Sequence, residues 1–209
     1  MVEELLASGH YAEVITPVRR LYGANRPGER QLTFDFSNPD SSLFPQGEDV
    51  FVAIGTTRSK TPNLEQYHAI DVGIPITVAE LAAAIKARSL VVVSAVDANE
   101  QSSNFYLKMK EEMERRITEH FPAAYFVRPA MLRGPRKEFR FGELVFRVLS
   151  PAIDLLMLGK LKRYKSIMAR DVARAMVYLS QQGYTNHVVQ APELHLLAKN
   201  PVPSSLSDT

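Results

Sequence analysis

Three side chains have the types and the order that proton transfer to a carbonyl group would require. Ser94 ends an apolar strand-like run, Tyr106 opens a predicted helix after a loop, and Lys110 follows one helical turn later. Positions four apart share a helix face, so the Lys110 ammonium is expected to favour the ionised form of Tyr106 and to bring its pKa closer to working pH. Tyr106 could then act as a general acid, while the Ser94 hydroxyl holds the carbonyl as hydride moves to or from a nicotinamide.

The same spacing has an ordinary interpretation. With this composition, a Tyr-x-x-x-Lys pair arises by chance in roughly a third of chains, as an exposed helix pair. The pair formed by Tyr106 and Lys110 is the only example in this sequence, and it opens a helix after a candidate strand and loop. Together with the strand-end serine, it is interpreted as a candidate reactive site.

Composition limits the classes of protein that need to be considered. The 209 residues are 45% hydrophobic and 23% charged, which predicts one folded domain. The absence of cysteine excludes disulfides, thiolate metal sites and cysteine nucleophiles, and no metal site is expected. Early glutamates and the lack of a long apolar run favour a cytoplasmic protein with no membrane span.

Charge gives little support to nucleic-acid binding. The net charge is only +2, and the basic runs at residues 133–140 and 160–165 are expected to be solvated loops or contacts to an anionic substrate group. Basic and aromatic residues are not interleaved as in a strand-binding groove, so nucleic acid is an unlikely partner.

Strand-like and helix-like segments alternate along the chain. Apolar runs predict strands at residues 14–18, 32–36, 50–54, 90–93 and 124–127. Helices are predicted at residues 80–87, 103–120, 141–158 and 170–180. The alternation predicts an α/β fold with a Rossmann-like doubly wound parallel sheet, in three layers, whose ligands bind at the carboxyl ends of the strands.

The domain is predicted to be a single dinucleotide-binding unit over residues 1–197. A small cap is formed mainly by residues 134–170, and residues 198–209, rich in proline and serine, are expected to be a disordered tail. Phe139, Phe141, Leu144 and nearby arginines in the cap favour a small, partly apolar substrate with an anionic group. No further apolar stripe indicates a subunit interface. The oligomeric state therefore stays open, and a homo-oligomer is one of the alternatives.

Several stretches resemble a known family. They are VITPVRR (14–20), LTFDF (32–36), DVFVAIGTTR (49–58), VVVSAVDANEQSSNFYLKMKEEME (91–114), FVRPAMLRGPR (126–136) and ARDVARAM (169–176). Together they span nearly the whole chain. The sequence is similar to the atypical short-chain dehydrogenase/reductases, especially the Tat-interacting oxidoreductase-like branch of NAD(P)H-binding proteins.

The resemblance implies roles for individual residues. Ser94, Tyr106 and Lys110 would form the catalytic triplet and also touch the cofactor, with Lys110 on the nicotinamide ribose. Asp71 stands where many relatives carry a relay asparagine, which puts a complete proton relay in doubt. The other implied cofactor-binding residues are Arg19, Arg20, Asp35, Phe36, Gly55, Thr56, Thr57, Arg58, Arg128, Pro129 and Ala130.

The cofactor implied is NADP, with NAD less favoured. Arg19 and Arg20 follow the strand that ends beside the adenosine ribose, where a guanidinium suits a 2′-phosphate. Alternatively, Arg19 and Arg20 lie in a solvated loop and do not contact a 2′-phosphate.

The resemblance also implies a first strand and a glycine-rich loop that are missing ahead of residues 1–8, which look like the latter half of the first helix. That loop would bring backbone N–H groups to the pyrophosphate. Three explanations stay open: the natural product begins upstream of Met1, another chain supplies the strand, or the protein is a decayed relative. We favour the first, and a chain limited to these residues is expected to bind NADPH poorly.

Two functional hypotheses follow. The first is an NADP-dependent oxidoreductase acting on an unknown carbonyl or alcohol. The second is a dinucleotide-binding regulatory or scaffolding protein with weak or no catalysis. The departure from the family pattern at Asp71 and the missing glycine-rich loop favour this second hypothesis. Whether the protein turns over a substrate therefore stays open at the level of sequence.

Overall fold

The computed structural model describes residues 1–130, 132–133 and 164–200. Its strands are β1 (Val14–Val18), β2 (Glu29–Thr33), β3 (Asp49–Val52), β4 (Ser89–Val93), β5 (Tyr125–Arg128), β6 (Leu132–Arg133), β7 (Ile167–Met168) and β8 (Val188–Gln190). Its helices are α1 (Val2–Ala7), α2 (Leu64–His68), α3 (Ile74–Ala84), α4 (Phe105–His120), α5 (Ala169–Gln182) and α6 (Ala191–Leu197), with a 3₁₀ turn at Ser41–Leu43 and a π-helical turn at Ala69–Gly73.

All of the strand pairs are parallel. β3, β4, β5 and β8 form a four-stranded sheet in that order, β1 pairs with β2, and β6 pairs with β7. Among the described residues, no strand lies between β1 and β3 to join the two sheets. This gap is expected if the central strand of the usual fold has no counterpart among these residues.

The four-stranded sheet is buried on both faces. In β4, Leu90 and Val92 belong to one apolar cluster, which also contains Met113 and Ile117 of α4. Val91, which points the other way, belongs to a second cluster with residues of α5 and α6. A strand that is covered by helices on both sides has a continuous apolar sequence, as β4 has. The helices on both faces of the sheet confirm the three-layer, Rossmann-like α/β fold.

Most predicted elements are present, with shifted ends. β1 has the predicted bounds, whereas β2 begins three residues earlier than predicted. The helix predicted at residues 80–87 is the end of a longer one, α3, which stops before Ile85; Lys86 has a φ of +51°. α4 begins at Phe105 because the Asn104 side chain accepts a hydrogen bond from the Tyr106 N–H.

The predicted cap and tail fall largely outside the described residues, as does the helix predicted at residues 141–158. Residues 198–200 are described and continue the hydrogen bonding of α6, since Ala198 N–H donates to the Leu194 carbonyl and Asn200 N–H to that of Leu197. These hydrogen bonds extend three residues past the predicted end of the domain at residue 197. Within the described ranges, no helix has the length and apolar character needed to cross a membrane.

One buried carboxylate joins four parts of the fold. The Asp49 side chain, at the start of β3, is 0% exposed. It accepts hydrogen bonds from Tyr11 Oη (2.9 Å), Arg88 Nε (2.9 Å), Ser89 Oγ (2.8 Å) and Gln181 Nε2 (2.9 Å). These donors come from the segment before β1, from the start of β4 and its preceding turn, and from α5. Asp49 therefore ties the β1–β2 pair to the four-stranded sheet.

We predict that Asp49→Ala lowers the free energy of unfolding by about 3 kcal/mol, because buried donors lose their acceptor. Urea unfolding followed by circular dichroism measures the effect. Glu48→Ala, at the exposed neighbouring position, is the matched control and should change stability by less than about 0.5 kcal/mol. Equal losses in the two variants would contradict the bridging role of Asp49.

Candidate active site

A cavity of about 510 Å³ opens at the carboxyl ends of β3, β4 and β5. Its walls come from the loops after these strands, from the first turns of α4 and of α5, from the π-helical turn before α3 and from Met1. Ligands of open parallel sheets bind at this edge because the strand-to-helix loops meet there. The cavity contains all three residues of the predicted catalytic triplet, Ser94, Tyr106 and Lys110.

Ser94 presents a buried hydroxyl to this cavity. Its backbone N–H donates to the Val127 carbonyl (2.8 Å), which continues the pairing of β4 with β5 and fixes the residue. The residue is 3% exposed, and its Oγ has no hydrogen-bond partner among the described residues. A buried hydroxyl without a partner is costly, so this atom is suited to hydrogen-bonding a bound molecule.

Tyr106 and Lys110 lie on the same face of α4, as their spacing predicts. The Lys110 Nζ lies 5.8 Å from the centroid of the Tyr106 ring. Lys110 is only 3% exposed, and an ammonium at such depth requires a compensating charge.

Asp71 supplies that charge. Its Oδ1 lies 3.3 Å from Lys110 Nζ, and the exposed fractions of the two side chains are 2% and 4%. Its Oδ2 accepts a hydrogen bond from the Thr56 N–H at 2.9 Å. Sequence reasoning singled out Asp71 only as a departure from a family pattern and missed this ion pair, because no local spacing relates residues 71 and 110.

The expected lowering of the Tyr106 pKa is not found. The pKa of Tyr106 is raised to about 12, chiefly by burial and to a smaller extent by the charge of Asp71 and by the neighbouring Tyr67. The main reason is burial of the phenol, which local spacing does not reveal; in addition, the Asp71 carboxylate lies beside Lys110, so the ammonium is not an isolated cation.

The predicted cofactor-binding residues divide into two groups. Gly55, Thr56, Pro129 and Ala130 line the same cavity as the triplet. The remaining positions are not among the cavity residues found in the described part of the chain, and their role stays a prediction; they are Arg19, Arg20, Asp35, Phe36, Thr57, Arg58 and Arg128.

Arg128 has a structural partner. Its guanidinium donates to both carboxylate oxygens of Glu114 on α4, at 2.8 and 2.6 Å. Arg19 and Arg20 are exposed immediately after β1. The Asp35 carboxylate accepts hydrogen bonds from the N–H and hydroxyl of Ser37, and these bonds lower its pKa.

No protein-family model matches the chain. Curated relatives include the mitochondrial protein FMP52 of Debaryomyces hansenii, 38% identical over 89 residues that cover 42% of this chain and 39% of that protein. FMP52 of Candida albicans is 33% identical over 65% of this chain and 59% of its own length. The protein fmp52 of Aspergillus niger is 28% identical over 70% of this chain and 67% of its own. The match thus spans about two fifths of the first of these relatives.

The prediction of a cytoplasmic protein is contradicted by these relatives, all three of which are named as mitochondrial. Composition could not have revealed this, because the absence of cysteine from these 209 residues is compatible with more than one compartment.

Solved structures share the fold at low sequence identity. MoeE5 in complex with UDP-glucose and NAD is 16% identical with a TM-score of 0.62, covering 92% of this chain and 74% of MoeE5. UDP-glucose 4-epimerase of Thermotoga maritima, solved with UDP-glucose, is 16% identical with a TM-score of 0.61, covering 95% and 76%. WbmG of Bordetella bronchiseptica in complex with NAD is 15% identical with a TM-score of 0.60, covering 90% and 66%. These likenesses show the fold of the chain, which is a Rossmann-like α/β fold.

Proposed function

We propose that this protein is a nicotinamide-dinucleotide-dependent oxidoreductase that acts on a carbonyl or an alcohol. The observation that carries the proposal is the Ser94 hydroxyl, which is buried in the cavity without a partner in the described residues and shares that cavity with Tyr106 and Lys110. We place the protein in the Tat-interacting oxidoreductase-like branch, on the motifs around these residues.

The cavity fits the nicotinamide end of such a cofactor. Gly55 lines the cavity, and because glycine has no side chain a bound molecule can approach the backbone there closely. Val93, Pro129 and Leu132 provide apolar walls for a planar ring. The NAD named in the MoeE5 and WbmG structures supports this choice of cofactor.

Ser94, Tyr106 and Lys110 have separate roles in carbonyl reduction. When bound, the reduced nicotinamide supplies a hydride to the carbonyl carbon. Ser94 donates a hydrogen bond to the carbonyl oxygen and holds it toward Tyr106. Tyr106 gives that oxygen its phenolic proton, which completes the alcohol, and is then reprotonated from solvent. Lys110 holds the nicotinamide ribose.

We propose NADP as the preferred dinucleotide. Arg19 and Arg20 are exposed at the carboxyl end of β1, where their guanidinium groups can reach a 2′-phosphate on the adenosine ribose. We further propose that the substrate is partly apolar, because Val172 and Met176 of α5 also line the cavity. The names of the relatives favour a mitochondrial location.

A second candidate function is a dinucleotide-binding regulatory protein with negligible turnover. One observation favours it: the pKa of Tyr106 is raised to about 12, chiefly by burial, which makes its phenol a weaker proton donor at neutral pH. A protein of this kind would bind the cofactor and change its contacts with a partner without catalysing hydride transfer.

Replacing the phenol separates the two candidates. We predict that Tyr106→Phe lowers the rate of NADPH oxidation by at least about a hundredfold while leaving NADPH affinity nearly unchanged, because only the transferred proton is lost. The assay uses the protein made from its complete gene, a panel of ketones and aldehydes, and cofactor fluorescence for binding.

The control for this experiment is Tyr178→Phe, which makes the same change on α5, at a residue that packs against the core. It should retain both activity and binding. Turnover that survives in Tyr106→Phe would contradict the proposed acid, whereas binding without turnover in the unaltered protein would support the regulatory candidate.

The arginine pair tests the choice of dinucleotide. We predict that replacing both Arg19 and Arg20 by alanine weakens NADPH binding by about tenfold or more, since a charged hydrogen bond contributes roughly 1.5–3 kcal/mol. NADH binding should change much less. Replacing both Arg115 and Arg116 by alanine removes the same two charges from solvent-accessible positions on α4 and is the charge-matched control. Equal weakening of NADPH and NADH in the pair variant would count against a 2′-phosphate contact.

A further inference from the structure

Asp71 is placed in the cavity by an irregularity of the helix that carries it. Residues 69–73 form a π-helical turn in which Ile74 N–H donates to the Ala69 carbonyl, five residues back. Pro75 accounts for this turn, because proline has no N–H to donate to the Asp71 carbonyl and its ring would clash with it. Single π turns often occur at functional sites.

The Asp71 carboxylate is held on both of its oxygens. Oδ2 accepts the Thr56 N–H at 2.9 Å, from the loop after β3, and Oδ1 lies 3.3 Å from Lys110 Nζ on α4. Gly55 leaves the room that the carboxylate needs, since a Cβ at that position would come within 3.3 Å of Oδ1. The carboxylate is therefore fixed between two walls of the cavity.

A buried ion pair is not by itself explained by stability. Removing two charges from water costs several kcal/mol for each ion, and well-packed apolar residues often serve the fold equally well. The Asp71–Lys110 pair lies beside Tyr106, whose ring is 5.8 Å from Lys110 Nζ, and all three residues line the cavity. Its position points to a role in the chemistry of Tyr106.

We infer that Asp71 is a positioning residue, whose carboxylate fixes the Lys110 ammonium in the cavity and offsets its charge beside Tyr106. The inference rests on the proposed function and deepens it. With the two charges paired, Tyr106 stays protonated over a wide pH range and serves as the acid in carbonyl reduction. Alcohol oxidation, which needs Tyr106 to accept a proton, is then confined to high pH.

The other charged and titratable groups near Tyr106 agree with this role. Tyr67, on α2, is a weak acid whose pKa is raised overall, chiefly by burial. The charge of Asp71 adds to this increase, and the charge of Arg58 reduces it. On α4 itself, Glu114 is paired with Arg128. Among the described groups, the Asp71 carboxylate is the charge whose removal changes the field at Tyr106 most directly.

The test is Asp71→Asn in the protein made from its complete gene. An asparagine oxygen still accepts the Thr56 N–H, but the negative charge is gone. We expect the pH at which alcohol oxidation reaches half its maximum to fall by about one to three pH units, because Lys110 then favours the tyrosinate. A variant in which the pH profile is unchanged overturns the inference.

A second readout does not depend on turnover. Tyrosines labelled with ¹³C at Cζ are titrated by NMR, and the Tyr106 signal is identified by its loss in Tyr106→Phe. An ordinary tyrosine is half ionised near about pH 10, where we expect Tyr106 of the unaltered protein to remain protonated. In Asp71→Asn the signal should titrate at lower pH. If Asp71→Asn fails to fold, ordinary titration of Tyr106 in the unaltered protein still refutes the inference.

Glu112→Gln provides the matched control, because it removes one negative charge from α4, the helix that carries Tyr106, at a partly exposed position paired with His68. It should leave both the pH profile and the Tyr106 titration unchanged. If Asp71→Asn shifts the NMR titration and no variant turns over any substrate, the positioning role stands and the proposed oxidoreductase function fails. If turnover is present and neither readout moves, the function stands and the role of Asp71 is refuted.

Discussion

The ion pair between Asp71 and Lys110 joins parts of the chain that are far apart in sequence. It connects the π-helical turn before α3 to α4, and through the Thr56 N–H it also fixes the loop after β3. Both side chains are almost fully buried, so each requires the other, and neither can move without exposing an unpaired charge to the apolar interior. The shape and the electrostatics of the cavity therefore depend on this pair.

The sheet brings the remaining site residues together. Parallel strands end at a common edge, so Ser94 after β4 and Pro129 after β5 meet the loop that contains Gly55 after β3. The alternating apolar residues of β4 are covered by helices on both faces, which holds that edge rigid. Ser94 is thus presented by a well-supported strand end, where its hydroxyl can be aimed at a ligand.

Much of this arrangement follows from local sequence patterns. The five longer strands of the described chain and the helices at Phe105–His120 and Ala169–Gln182 are predicted from periodicity, and a four-residue spacing places Tyr106 and Lys110 on one face. β6, β7 and β8 were not predicted, because strands of two or three residues depend on their pairing partners for definition. The direction of the Tyr106 pKa shift was also predicted wrongly, since it depends first on burial of the phenol and then on the charge of Asp71, and both arise only when the chain folds.

The most direct test of the account is a crystal structure of the protein, made from its complete gene, grown with NADPH. We expect the nicotinamide in the cavity with the Ser94 hydroxyl and the Tyr106 phenol facing the same side of the ring, and with C4 open to a substrate atom at about 3.5 Å. The Asp71–Lys110 pair should be intact beside the ribose. A dinucleotide bound elsewhere, or a Ser94 hydroxyl turned away to a protein partner, would contradict the account.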